Sequence, residues 1–238
     1  MSAGRLYGIG VGPGDPELIT LKAVRLLRAA AIVAYPAPEI GESFARTIAA
    51  QWIEPHHREL AIRFPMRPGP VPAAIYDAGA AAIATALDHG EDVVFLCQGD
   101  PLFYGSFAGI LTRLAPRYPV AIVPGVSSLT ACAAAAAIPL VHRDEFLAVI
   151  PATLPEAELA RRLTDADCAA IIKLGRHFTK LCRILTTLGR LDDALYVERA
   201  SLPGERIAPL ATIDPASVPY FAMALLRPKG NRAAPSPL

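Results

Sequence analysis

The chain has 238 residues, 23 Lys and Arg against 22 Asp and Glu for a formal charge of +1, 53% hydrophobic residues and only 7% aromatics. A near-neutral balance leaves no electrostatic footprint for a nucleic acid, and no apolar run reaches the roughly 20 residues a membrane span needs. Cys97, Cys132, Cys168 and Cys182 lie in apolar runs without CxxC spacing, which excludes a disulfide framework and a zinc ribbon and leads us to expect buried free thiols in a cytoplasmic protein without a secretory signal.

Residues 5–11 read as a short strand breaking into Gly10-Val11-Gly12-Pro13-Gly14-Asp15-Pro16. Asp15 is placed to cap the next helix and Pro16 to open it, with Leu18, Leu21, Val24 and Leu27 at helical spacing. The glycines let a backbone approach something bulky. A dinucleotide fingerprint fits poorly, because Pro13 falls inside the turn and the spacing is not GxGxxG. Residues 31–36 form a second strand. Pro36 holds Tyr35 extended, so its ring is expected to project from the strand end, the alternative being a tyrosine that closes a core edge.

Residues 43–53 read as a helix with Trp52 packed, and His56 and His57 as surface or loop histidines without metal-ligand spacing. Residues 63–72 hold four prolines and two arginines and read as an extended loop. An alanine-rich helix follows over 72–89, ended by Gly90. The buried strand 93–96 then runs into Cys97-Gln98-Gly99-Asp100-Pro101-Leu102-Phe103-Tyr104-Gly105-Ser106. Here Asp100 is the expected N-cap, and Pro101 the first residue, of a helix reaching Leu114. Open α/β sheets bind ligands where such strands end.

Residues 115–119 read as a hinge and 120–123 as a strand, which runs into Pro124-Gly125-Val126-Ser127-Ser128 and a serine-capped helix over 129–137. Strand, glycine turn and capped helix thus occur three times, and helix amino termini favour carboxylates and other electron-rich groups. Further strands are expected at 146–151, 169–174, 194–200 and 220–226, helices at 155–163 and 177–188, a hairpin partner at 207–210 and a loose tail from 229 to 238. The alternation predicts an α/β fold in two α/β domains, 1–117 and 118–238.

Together, Gly8-Ile9-Gly10-Val11-Gly12-Pro13-Gly14-Asp15 with Leu18, Thr20 and Lys22-Ala23, then Gly99-Asp100-Pro101 with Tyr104-Gly105, then Val123-Pro124-Gly125-Val126-Ser127-Ser128, resemble the tetrapyrrole methylase family over nearly the whole chain. The resemblance implies a two-domain α/β enzyme, usually a homodimer, with S-adenosylmethionine in the cleft between domains and a tetrapyrrole in a trough of the first. Carried over by motif, the cofactor meets Pro13, Gly99, Asp100 and Phe103, then Ser127 and Ser128. Leu174 would lie on its adenine side, with Ala200 and Ala222 at the last strand ends. The tetrapyrrole lies near Gly14, Asp15, Tyr35 and Tyr104.

Within the family, Tyr35-Pro36, residues 98–106 and residues 138–140 most resemble the branch that methylates C-20 of precorrin-2 on the way to cobalamin. Members acting on uroporphyrinogen place an acidic base directly after this tyrosine. Pro36 occupies that position here, which points away from them. A substrate with many carboxylates makes Arg63, Arg67 and Arg143 candidate partners, with His142 beside the last. No metal site and no catalytic acid or base is assigned.

Overall fold

The computed structural model describes residues 2–65, 69–219 and 221–228 and divides into two compact units, Met1–Ser127 and Ser128–Leu238. The first unit holds five strands, β1 (Leu6–Gly10), β2 (Ile32–Pro38), β3 (Arg58–Phe64), β4 (Val93–Cys97) and β5 (Val120–Val123), and four helices, α1 (Leu21–Ala29), α2 (Phe44–Ala49), α3 (Ala73–Asp88) and α4 (Phe107–Leu114). Its sheet runs β3-β2-β4-β1-β5 and every pairing is parallel. The unit extends past the boundary expected at 117, because β5 pairs with β1 and completes the first sheet instead of opening the second.

All five residues of β4 are buried, as a central parallel strand with helices on both faces requires. Phe95 and Cys97 point into one core with Phe107, Ile110 and Ile83. Val94 and Leu96 point into another with Ile9, Val33 and Leu27. Phe95 and Phe107 pack 5.3 Å apart, and a Cβ on Gly8 would stand 2.5 Å from the Phe107 ring, so this glycine makes room for an aromatic side chain.

Residues 58–64 form an edge strand, so Arg63 and Phe64, expected in a loop, belong to β3; Ile62 and Phe64 are buried while Arg58, Glu59, Ala61 and Arg63 are exposed. Of the loop that was expected to follow, Met66, Arg67 and Pro68 lie outside the described residues, and with them the candidate Arg67. His57 is buried, 8% exposed; Glu54 N–H donates to its Nδ1 at 2.8 Å, so its Nε2 donates to the Leu27 carbonyl at 2.9 Å, and its role is to join α1 to the turn before β3.

Tyr35 does not project from its strand. It is 8% exposed, and its hydroxyl donates to Glu59 Oε2 at 2.8 Å. Arg46 grips the same carboxylate bidentately at 2.7 and 2.9 Å. The Arg46 hydrogen bond holds the Glu59 carboxyl below its ordinary value, with the Tyr35 hydroxyl adding to the effect. A depressed carboxyl contributes stability above its unfolded pKa and loses it as pH falls through the folded one. Glu59→Gln is therefore expected to cost about 0.2–1 kcal/mol near pH 7, where this partly exposed pair is intact, and nothing in strong acid. Thermal melts of both proteins from pH 7 to 3 check this through the convergence of the two curves.

The second unit holds α5 (Ser128–Ala135), β6 (Leu147–Pro151), α6 (Glu156–Asp165), β7 (Cys168–Ile172), α7 (Phe178–Thr187), β8 (Ala194–Glu198), β9 (Arg206–Pro209) and β10 (Ala222–Leu226). The order is β6-β7-β10-β8-β9, with β6 and β7 parallel and the other pairings antiparallel. The hairpin partner expected near 207–210 is β9. Leu159, Leu163, Phe178, Leu181, Leu185 and Tyr196 build one core on the helical side. Tyr220 and the expected tail, 229–238, lie outside the described residues.

Candidate functional site

In the first unit β1, β4 and β5 end side by side, and the turns that leave them are joined through backbone. Gly12 and Gly99 form a two-way bridge, the Gly99 N–H donating to the Gly12 carbonyl at 2.7 Å and the Gly12 N–H returning at 3.4 Å. Gly99 at φ +66° and Gly12 at φ +85° take left-handed conformations that favour glycine. Gly10 and Gly125 close the junction. A Cβ on Gly10 would stand 2.5 Å from both the Gly125 Cα and the Gly99 carbonyl oxygen, and one on Gly125 would come 2.7 Å from the Gly10 Cα and closer still to that oxygen. Three backbones thus meet where no side chain fits, at the carboxyl edge of a parallel sheet.

Asp100 locks the arrangement. Its Oδ1 accepts from Leu102 N–H at 2.9 Å and its Oδ2 from Gly125 N–H at 3.1 Å, so one carboxylate ties the central turn to the third. This differs from the expected N-cap: α4 starts at Phe107, and residues 101–104 form turns instead of its first coil. Tyr104 sits at φ +54°, which is strained for a bulky L-residue, is 52% exposed and meets the Phe103 ring edge-on at 5.1 Å. Pro13 and Gly14 are buried in the first turn. Asp15 caps the single 3-10 turn Pro16–Leu18 by accepting from Glu17 N–H at 2.8 Å, while the cap of α1 is Thr20.

On the expectation that this edge takes S-adenosylmethionine, Asp100→Ala should weaken S-adenosylhomocysteine binding about tenfold or more. The Gly125 and Leu102 N–H groups lose a charged acceptor worth about 1.5–3 kcal/mol, and the two turns it ties come apart. Asn at this position turns an NH2 toward one of two donors and should fall between. Asp144→Ala, in an exposed turn, should bind as wild type. Titration calorimetry on the four proteins checks the ranking.

Ser127 closes the first unit and Ser128 begins α5, so the third turn straddles the division between units. In the second unit, Leu174 is fully buried just beyond β7, Ala200 is 8% exposed just beyond β8, and Ala222 is 8% exposed at the start of β10. Because β10 runs antiparallel to β7 and β8, its first residue lies beside their last ones, and Ala222 pairs with Glu198. The structure therefore gathers these three residues at one sheet edge.

The arginine candidates separate. Arg63 Nη1 donates to the Pro38 carbonyl at 2.8 Å and the Glu39 carbonyl at 3.3 Å, at the carboxyl edge of the first sheet. His142 and Arg143 lie at the opposite edge of the second sheet from Leu174, Ala200 and Ala222. His142 N–H donates to Glu145, whose carboxylate also meets the Cys168 thiol at the start of β7. Burial, aided by the Asp100 charge, pushes the Cys97 thiol well up, and burial pushes Cys132 up to about 12. Neither is a nucleophile at neutral pH. Among the described residues no group of three or more His, Cys, Asp or Glu is placed to hold a metal ion, and no helix is long and apolar enough to cross a membrane.

Gly10 and Gly125 were legible only as turn glycines; the signal that marks them further is their place beside the last residue of a buried strand. The site offers backbone N–H and C=O groups, one fixed carboxylate and apolar walls. Such a site can align two reactants and exclude water, which suits a transfer whose partners are already reactive.

Comparison with known proteins bears on this geometry. The family profile of tetrapyrrole (corrin/porphyrin) methylases matches residues 5–214. The chain is 48% identical over 98% of its length to the cobalamin biosynthesis protein CobIJ of Mycobacterium tuberculosis, spanning about half (48%) of that relative. It is 40% identical to the precorrin-2 C(20)-methyltransferase of a Sinorhizobium species over 95% of this chain and 96% of that one. Among solved structures, the uroporphyrin-III C-methyltransferase of Thermus thermophilus complexed with S-adenosylhomocysteine superposes with a TM-score of 0.69 at 28% identity, covering 94% of this chain and 92% of that one.

Proposed function

Since the chain belongs to the tetrapyrrole (corrin/porphyrin) methylases, we propose that it transfers a methyl group from S-adenosylmethionine to C-20 of precorrin-2, giving precorrin-3A in cobalamin biosynthesis. The observation that carries this reading is the 40% identity to the Sinorhizobium enzyme across nearly the full length of both chains. We propose further that the protein works in the cytoplasm as a homodimer.

The junction at Gly10, Gly99 and Gly125 suits a cofactor site, because bare backbone lets the three turns pack against one another and a Cβ on Gly10 or Gly125 would force them apart. S-adenosylmethionine supplies an electrophilic methyl on a sulfonium, and the tetrapyrrole carbon is already electron-rich. The chain then has three tasks. Pro13, Gly99 and Phe103, with Asp100 holding the central and third turns together, position the ligand from the first unit, followed by Ser127 and Ser128. Ala200 and Ala222 offer small apolar surfaces to the adenine, with Leu174 packed in the core behind them. Gly14, Asp15 and Tyr104 face the tetrapyrrole at the carboxyl edge of the first sheet. Tyr35, its hydroxyl held by Glu59, supports that edge from within the core. With the cofactor bound, the methyl–sulfur bond would break as the carbon–methyl bond forms, leaving S-adenosylhomocysteine as a neutral thioether, and the C-20 proton would pass to solvent.

Mass spectrometry of anaerobic reactions with precorrin-2, and in parallel its cobalt complex, tests the proposal. A gain of one methyl mass, located at C-20 by carbon labelling, is expected. No gain on either substrate, with S-adenosylhomocysteine still raising the melting temperature and NADH not doing so, would keep the cofactor and move the substrate to another tetrapyrrole.

A further inference from the structure

The carboxyl edge of the second sheet carries an acid that the methyl transfer, as derived above, leaves without a role. Tyr196 is fully buried and its hydroxyl donates to Glu198 Oε2 at 2.8 Å. Burial, with the Glu198 hydrogen bond and charge, pushes the phenol well above its ordinary pKa, so it keeps its proton and fixes the carboxylate's orientation. One oxygen is thereby used. Among the described residues the other, Oε1, has no hydrogen-bond partner, and Arg206, directly cross-strand from Glu198, makes no ion pair with it.

Position gives that oxygen a meaning. Tyr196 and Glu198 are two residues apart on β8 and share a face. Ala222 is the cross-strand partner of Glu198 and belongs, with Leu174, to the core cluster that holds Tyr196. The half-buried carboxylate therefore lies on the face and at the edge where Leu174 and Ala222 gather. The backbone there is strained. Lys173, Arg199 and Ser201 sit at φ +59°, +53° and +65°, so that three of the six left-handed non-glycine residues among those described flank this one edge. Such clustering marks ligand sites more than it marks scaffold.

We propose that Glu198 Oε1 accepts a hydrogen bond from the nucleoside half of the cofactor, from a ribose hydroxyl or the adenine amine, with Tyr196 as the residue that positions it. The inference rests on the reading of Leu174, Ala200 and Ala222 as adenine-side contacts. The competing role for Glu198 is only to satisfy a buried tyrosine hydroxyl.

Glu198→Gln separates the two, because its amide oxygen still accepts from Tyr196 while its NH2 meets a ligand donor. Calorimetry would use S-adenosylhomocysteine, its 2′-deoxy and 3′-deoxy forms and its 6-oxo (inosine) form. Wild type is expected to lose about tenfold in affinity for the one form that lacks the donor. E198Q should bind S-adenosylhomocysteine about tenfold more weakly, melt within about 2 °C of wild type, and no longer discriminate against that form, the coupling a double-mutant cycle detects. Tyr196→Phe, which keeps the charge but frees its orientation, should fall between. The inference is overturned if E198Q binds as wild type, or if its loss is equal for all four ligands. Failure of the wild type to bind S-adenosylhomocysteine would instead remove the cofactor reading on which it stands.

Discussion

Gly125→Ala is expected to lower affinity for S-adenosylhomocysteine by at least about 100-fold, or about 2.7 kcal/mol, and to lower the melting temperature as well. The added methyl would meet only backbone, the Gly99 carbonyl oxygen and the Gly10 Cα, the latter at 2.7 Å. No rotamer change relieves such a contact, so β1, β4 and β5 must part at their ends. Overpacking of this kind costs about 1–3 kcal/mol, which for a chain of this size is a fall of roughly 2–12 °C. Parting the strands also pulls the Gly125 N–H from Asp100 Oδ2, now at 3.1 Å, and loosens the two-way bridge between Gly12 and Gly99. Binding suffers beyond stability for that reason. Gly10→Ala meets the same Gly99 oxygen and the Gly125 Cα from the other side, so the double variant should cost less than the sum of the singles: once the junction has opened, the second methyl finds space. Asp144→Ala, in an exposed turn of the second unit, is the control. Additive effects of the first two variants, or binding by Gly125→Ala equal to that of wild type, would show that the junction does not shape the site.

Much of this frame was readable in the chain because buried parallel strands announce themselves. Val93-Val94-Phe95-Leu96 is apolar at every position, and such a strand can end only in a turn at the ligand edge. Edge strand β3 was missed for the opposite reason. It opens on two exposed charged residues, Arg58 and Glu59, and alternates only from Leu60 to Phe64, too short a period to stand out before the prolines that follow. The boundary near 117 was misplaced because Ala115–Pro119 looks like a linker, whereas strand order depends on long-range pairing that no local pattern records. Asp100 was legible as a turn residue but not as a clasp. A capping aspartate and one that reaches Gly125, 25 residues on, have the same local sequence, and only the fold decides between them. Glu198 and Tyr196 gave no signal beyond an acid at a strand end.

Arg190→Leu should be the most destabilising single change outside the ligand site, at about 3–5 kcal/mol, or roughly 6–20 °C in melting temperature. Arg190 is 7% exposed, and its two terminal nitrogens serve four carbonyls: Nη1 donates to Leu163 at 3.4 Å and Ala166 at 2.7 Å, Nη2 to Asp167 at 2.6 Å and Arg227 at 2.7 Å. The first three are carbonyls at and just beyond the end of α6, which otherwise lack helical partners, and the fourth follows β10. One guanidinium thus ties the end of a helix to the end of a strand at the edge of the second sheet remote from Leu174, Ala200 and Ala222. Among the described residues its Nε has no partner, nor does Oδ1 of nearly buried Asp193, so the cluster already carries a desolvation cost that its four hydrogen bonds offset. Leucine fills much of the volume but leaves four buried acceptors bare. Arg190→Lys keeps the charge without the planar fork, cannot reach carbonyls on both elements, and should recover less than half of the loss. Because the cluster lies away from the ligand edge, both variants should bind S-adenosylhomocysteine within about threefold of wild type at temperatures where they remain folded. Chemical denaturation monitored by circular dichroism, with calorimetry at 15 °C, tests both halves. A loss below about 1 kcal/mol would mean that water replaces the guanidinium, and the clasp would then be incidental to the fold.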